Sequence, residues 1–127
     1  MTAALDHMIV FARDRDASAA FLAEMLGAPP PMQAGHFTQV AIDHGLMVDF
    51  MNAQGSVAVQ HYAFLVSEAQ FDASFAKIVA RKLDHWADPY RRRPNEINTL
   101  DGRGRLVYFE DPSGHFLEIR TLPSRDQ

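Results

Sequence analysis

Apolar and polar positions along this chain switch between a period of two and a period near four, and the switches mark out its elements. Leu5 to Ala12 alternates, with His7, Ile9 and Phe11 on one face and Met8 and Val10 on the other, which predicts a strand. Arg13-Asp14-Arg15-Asp16 is a polar break. Ala17 to Leu26 then repeats apolar residues at helical spacing until Gly27 stops it. Beyond the stiff connector Pro29-Pro30-Pro31, the short apolar runs Phe37 to Ile42 and Leu46 to Met51 flank Asp43-His44-Gly45, the pattern of a hairpin turn. Asn52 to Ser56 reads as a loop.

The same order then returns. Val57 to Val66 predicts a strand with Val59, His61, Ala63 and Leu65 on one face. Glu68 to Leu83 predicts a helix carrying Phe71, Phe75, Ile78, Val79 and Leu83, with Ser67 as its N-cap. Asp84 to Gly104 is the least periodic stretch, and Leu106 to Glu110 predicts another strand. Asp111-Pro112-Ser113-Gly114 has the chemistry of a tight turn: a pre-set proline φ, an aspartate able to bond its own backbone, and a free glycine. It feeds a last strand with Leu117 and Ile119 on one face and Phe116, Glu118 and Arg120 on the other. The tail from Pro123 reads as frayed.

The halves also match residue for residue. A shift of 54 places His7 on His61 and Phe21 on Phe75. A shift of 69 places Gly45–Phe50 on Gly114–Ile119, and so Asp49 on Glu118. The 15-residue excess of the second half is assigned largely to Asp84–Gly104. Each half leaves one sheet face uncovered by its single helix, so two halves are expected to build one domain, residues 1–127, from modules 5–56 and 57–122. Under a pseudo-twofold axis His7, His61, Asp49 and Glu118 converge on one point. Two imidazoles and one or two carboxylates suit a divalent ion with coordination positions left open. The opposing reading of each residue alone is ordinary: a satisfied histidine near a strand end, or an acidic residue beside a turn.

Composition narrows the partners. Hydrophobic residues at 47% and charged residues at 22% describe an ordered globular chain. A net charge of -4 with 12 Lys plus Arg argues against nucleic acid, which needs a basic footprint. There is no cysteine, so thiolate and cysteine-ligated metal chemistry are excluded. The beginning of the sequence lacks a signal-peptide pattern, and no run approaches the ~18 apolar residues of a membrane span. A cytoplasmic protein without a membrane partner is expected.

Leu5-Asp6-His7, Gln60-His61 and the run Tyr108-Phe109-Glu110-Asp111-Pro112-Ser113-Gly114-His115-Phe116-Leu117-Glu118-Ile119 together resemble the vicinal oxygen chelate superfamily. That group holds glyoxalase I, the fosfomycin-resistance enzymes, the extradiol dioxygenases and the bleomycin-resistance proteins. The resemblance covers roughly residues 5–121. It implies an α+β, glyoxalase-like fold: two βαβββ modules forming a curved mixed sheet around a metal-binding cavity. Short extra strands are implied near Gly27–Gln33 and Arg91–Leu100.

The resemblance also implies His7, His61 and Glu118 as ligands of a divalent metal (Zn, Ni, Mn, Co or Fe(II)). Asp49 stands where the glyoxalase I type adds a fourth. Glu118 and Asp49 are then candidate bases, and Tyr108 matches a tyrosine that points into the pocket. Arg120, Tyr108, Phe116 and Arg92 are candidate substrate contacts, with Arg91-Arg92-Arg93 otherwise a solvated loop. Trp86, Tyr90 and Phe116 fit a pocket wall or core packing equally. Short chains of this group imply a homodimer with shared active sites and a small-molecule substrate. The expected chemistry is lyase or isomerase action on a chelating, oxygen-bearing substrate, slightly ahead of extradiol-type Fe(II) dioxygenase. The non-enzymatic rival is a bleomycin-resistance-like binding protein.

Overall fold

A computed structural model describes residues 2–126, which divide into two compact units, Met1–Ala58 and Val59–Gln127. The first unit holds β1 (His7–Ala12), α1 (Arg15–Leu26), β2 (Met32–Ala34), β3 (Phe37–Ala41) and β4 (Met47–Asn52). Its sheet has the order β1-β4-β3-β2. β1 runs parallel to β4, and the other neighbours are antiparallel. The parallel pair needs a crossover, which α1 begins, and α1 packs on β1, β3 and β4. Val10, Ala12, Val48 and Phe50 are buried, whereas Ile9 and Phe11 on the other face of β1 are exposed.

The second unit repeats the arrangement: β5 (His61–Leu65), α2 (Glu68–Ala80), β6 (His85–Trp86), β7 (Leu106–Glu110) and β8 (Phe116–Arg120), with sheet order β5-β8-β7-β6. The fold is α+β, with two open four-stranded mixed sheets. Val107, Phe109 and Ile119 share one face of the second sheet and are buried, as are Phe71 and Ile78 of α2. The face opposite carries His61, Glu118, Tyr108 and Phe116, because His61 is registered with Phe116 and Tyr108 with Glu118.

Registers bear out the internal repeat. His7 pairs with Met47 as His61 pairs with Phe116, and Gln39 pairs with Asp49 as Tyr108 pairs with Glu118. Met32 pairs with Gln39 and Trp86 with Tyr108. Met32 to Trp86 is therefore still a shift of 54, and Gln39 to Tyr108 already one of 69. The insertion thus falls between Trp86 and Leu106, inside the stretch that the sequence pattern assigned to it.

Several boundaries differ from the expected ones for local reasons. The polar break Arg13–Asp16 is the start of α1: Asp14 is extended and its side chain accepts from the N–H groups of Asp16 and Ala17. α2 stops at Ala80 rather than Leu83, because Lys82 is left-handed (φ 55) and Leu83 donates back to the Ile78 carbonyl. The predicted strand Val57–Val66 shortens to His61–Leu65, since its only ladder partner, β8, begins opposite His61. The short strand expected near Arg91–Leu100 lies instead at His85–Trp86; in 91–100 only Pro94 and Asn98 form isolated bridges. The one expected near Gly27–Gln33 is found at Met32–Ala34. Among the described residues no helix is long and apolar enough to cross a membrane.

The Asp14 cap gives a direct prediction. Asp14→Ala frees two N–H groups and lowers stability by about 1 kcal/mol in denaturant unfolding. An unchanged midpoint contradicts the capping role.

Candidate metal centre and its aromatic wall

β5 and β8 bring His61 and Glu118 together. The His61 Nδ1 lies 2.9 Å from the Phe116 carbonyl oxygen, which can only accept, so Nδ1 carries the proton. The other nitrogen, Nε2, faces Glu118 Oε1 at 3.2 Å. A lone pair and a carboxylate oxygen repel unless a positive species stands between them, either a second proton on the ring or a cation. Fixing one nitrogen on a backbone carbonyl to present the other is the usual support of a metal-binding histidine.

The carboxylate itself is deeply placed. Its side chain is 4% exposed, against 47% for His61, so the pair opens outward on the imidazole side. Arg120 Nη1 donates to Glu118 Oε2 at 3.0 Å, and Arg120 Nε donates to the Leu122 carbonyl at 2.6 Å. The carboxylate charge that β8 puts among apolar residues is therefore balanced from two positions further along the same strand. Arg120, a candidate substrate contact on sequence grounds, is committed to this pair.

Tyr108 closes the third side. Burial, then the Glu118 charge and a hydrogen bond with Glu118, push its hydroxyl up to about 12. It therefore stays protonated at neutral pH. Its ring stacks on His61 at 5.8 Å and on Phe116 at 5.2 Å, and Phe116 lies 5.8 Å from Trp86. The four rings make a wall beginning at the candidate ligand.

His7 and Asp49 belong to the first unit. β1 and β4 place them on the same sheet face, with Ile9 registered on Asp49. His7 Nδ1 bonds Asp6 Oδ2 at 2.7 Å, which raises the pKa of this exposed imidazole. That bond occupies Nδ1 and leaves Nε2 as the other ring nitrogen. Gln39 Nε2 donates to buried Asp49 Oδ1 at 3.0 Å, the counterpart of the Tyr108–Glu118 contact. Among the described residues no group of three or more His, Asp or Glu is gathered at one point. The structure thus brings together one half of the expected set, His61 with Glu118, and holds His7 and Asp49 in the other unit.

Two contributors escaped the sequence reading. Asp6 was visible in Leu5-Asp6-His7, but adjacency alone did not reveal that it orients the ring. Arg91, rather than Arg92, reaches the wall: its guanidinium carbon sits 4.0 Å from the Phe116 centroid, while Arg92 lies 5.4 Å from the exposed Tyr90 ring. The remaining histidines do not join the pair. His36 and His44 are exposed; His85 Nδ1 meets the Leu83 carbonyl; His115 is buried and its Nδ1 accepts from the Gln60 N–H.

Two sheets of this topology, repeated with a histidine on each first strand and a carboxylate on each last, define a glyoxalase-like α+β fold. The chain belongs to the Glyoxalase/Bleomycin resistance protein/Dioxygenase superfamily, whose model matches residues 4–119. Among solved structures, Oxidase ChaP-H1 is 55% identical, with a TM-score of 0.92 over 96% of this chain and 98% of that one. The fosfomycin resistance protein FosX from Mesorhizobium loti shares the fold at a TM-score of 0.68 and 23% identity, over 99% and 98% of the two chains. Metallothiol transferase FosB of Lysinibacillus sphaericus (strain C3-41) is 27% identical over 97% of this chain and 85% of its own length. FosB of Shouchella clausii (strain KSM-K16) is 36% identical over 48% of this chain, a match spanning only 37% of that relative. The resemblance read from the sequence is borne out. Family and relatives together support a metal-dependent enzyme of the vicinal oxygen chelate type.

The raised Tyr108 pKa gives a pH prediction. The folded state keeps this proton where an unfolded tyrosine loses it, so stability from this group is full below pH 10, the ordinary value, and is lost as pH climbs to about 12. In ultraviolet titration, the difference between wild type and Tyr108→Phe should show one phenol ionising near 12. A phenol at the ordinary value contradicts the buried contact with Glu118.

Proposed function

We propose that this chain is a divalent-metal-dependent oxidoreductase, with iron(II) as its working metal, acting on a small substrate that presents two neighbouring oxygens. The observation that carries the metal reading is the His61–Glu118 pair, whose facing nitrogen and oxygen call for a positive species between them. The likeness to an oxidase, 55% identical over nearly the whole chain, weighs oxidation above the lyase or isomerase chemistry that the sequence pattern put first.

The donor chemistry fits the group. His7, His61 and Glu118 are the proposed ligands, a set of two imidazoles and one carboxylate that suits non-haem iron and leaves positions for substrate. When bound, the ion supplies Lewis-acid polarisation of the chelating oxygens and, as iron(II), the electron chemistry that dioxygen needs. The protein's own groups do the rest. The Phe116 carbonyl and Asp6 each hold a ring by its Nδ1, which leaves Nε2 as the coordinating nitrogen. Arg120 balances Glu118, and Tyr108, protonated at neutral pH, donates its hydroxyl to Glu118 and helps hold the carboxylate in place. Asp49 is held by Gln39 and is read as a neighbour rather than a required ligand.

The chain is further proposed to act as a homodimer in which His7 comes from one copy and His61 with Glu118 from the other. A second reading, metal-dependent group transfer to a small acceptor, is favoured by the metallothiol transferase relatives. Dioxygen uptake that accompanies turnover separates the two.

Protein loaded with iron(II) without air should hold stoichiometric metal. His61→Ala and Glu118→Ala should lose it, and Asp6→Ala should weaken it by about tenfold, the usual effect of removing an orienting partner. Asp49→Asn should keep it. Tight ligand binding by metal-free protein with no metal uptake would overturn the enzyme reading in favour of a binding protein. Mixing His7→Ala with His61→Ala chains should regenerate one intact site per mixed dimer. No recovery contradicts sharing between copies.

A further inference from the structure

The second unit differs from the first along one edge of its sheet as well as at the ligand positions. Its wall residues Phe116, Tyr108 and Trp86 occupy the register positions of Met47, Gln39 and Met32, so the first unit has neither aromatic wall nor arginine there. The segment Ala87–Arg105, which contains the 15-residue insertion, is likewise confined to the second unit, and its beginning is firmly built. The Asp88 carboxylate accepts from the backbone N–H groups of Tyr90, Arg92 and Arg93 at 3.2, 2.9 and 2.8 Å. Ala87 N–H closes the loop on the Arg93 carbonyl at 3.0 Å.

At the apex Arg91 is left-handed, φ 57, a conformation that carries strain in a residue other than glycine. That backbone turns the guanidinium back over Phe116 at 4.0 Å and Trp86 at 5.1 Å. Its polar partner is Glu110, at 2.9 Å, and the two side chains are 42% and 47% exposed. A half-exposed ion pair of this kind is weak and exchangeable. The neighbouring cations are differently committed: Arg92 to Tyr90, Arg93 to Glu96, and Arg120 to Glu118 and Leu122.

We propose that Arg91 is an anion-recognising residue of this site, and that the substrate carries a carboxylate-class group which takes Glu110's place on it. The group would lie one ring along the wall from His61, with the guanidinium over the Phe116 ring and its fork able to engage two oxygens once Glu110 is displaced. This rests on the metal reading above for the position of the chelating end, but not for the charge preference itself.

Trp86 is the chain's one tryptophan, so its fluorescence reports ligands at this wall. The probes are 3,4-dihydroxybenzoate and 3,4-dihydroxybenzamide, two chelating rings that differ in charge, titrated into metal-loaded and chelator-treated protein. The acid should bind roughly tenfold tighter than the amide. Arg91→Ala and Arg91→Gln should bring the ratio to about one while leaving the amide's affinity in place. Glu110→Gln, which removes the competitor, should strengthen the acid and not the amide. A ratio that ignores residue 91, an acid that gains nothing from Glu110→Gln, or no binding of the acid at millimolar concentration overturns the proposal. If the metal reading alone fails, metal-loaded and stripped protein behave alike while the ratio still follows Arg91. If the Arg91 reading alone fails, the dependence on metal persists without the ratio.

Discussion

The 2.9 Å bond from His61 Nδ1 to the Phe116 carbonyl sets most of what the second unit can do. It spans the parallel pair β5 and β8 in the register that also puts Glu118 on the same face. Because a carbonyl only accepts, it fixes which nitrogen is protonated and turns the other toward the carboxylate at 3.2 Å. A one-residue slip would send Glu118 to the dry side under α2. The Asp111–Gly114 turn guards that register: Asp111 Oδ1 accepts from the Ser113 and His115 N–H groups, and His115 accepts from Gln60, directly before His61.

Electrostatics then divides the labour around one carboxylate. One oxygen of Glu118 meets Arg120, so its burial is tolerable, and the other meets the imidazole edge. Tyr108 adds a proton that stays in place at neutral pH. In the first unit the same register holds a shorter acid, Asp49, with Gln39 as donor and Met51 where the second unit has Arg120. The repeat supplied two copies of one scaffold. The second copy carries the aromatic wall and the loop, whereas the first has an orienting acid, Asp6, beside its histidine.

Much of this was legible in the chain because it depends on local periodicity. The order of elements, the Ser67 cap, the inward parity of Phe116, Glu118 and Arg120, and the offset repeat all follow from side-chain spacing. What escaped depends on backbone conformations and tertiary partners that spacing does not encode. The Asp88 carboxylate organises the loop through three backbone groups, and a left-handed Arg91 puts its side chain where Arg92 was expected. The fourth strand of the second unit moved to His85–Trp86 because two bridging residues, with no alternating run, were enough to pair with β7. Arg120 had the right parity for a substrate contact, but parity does not say that Glu118 takes it.

The account stands on a cation being the species between His61 and Glu118. Anomalous diffraction at the iron edge, from crystals grown without air and soaked in iron(II), tests this most directly. The predicted result is a peak bonded to both His61 Nε2 and Glu118 Oε1 at roughly 2.0–2.2 Å, the range for first-row metals. A fully soaked crystal with no peak there, and an unchanged direct contact between the two side chains, would contradict it.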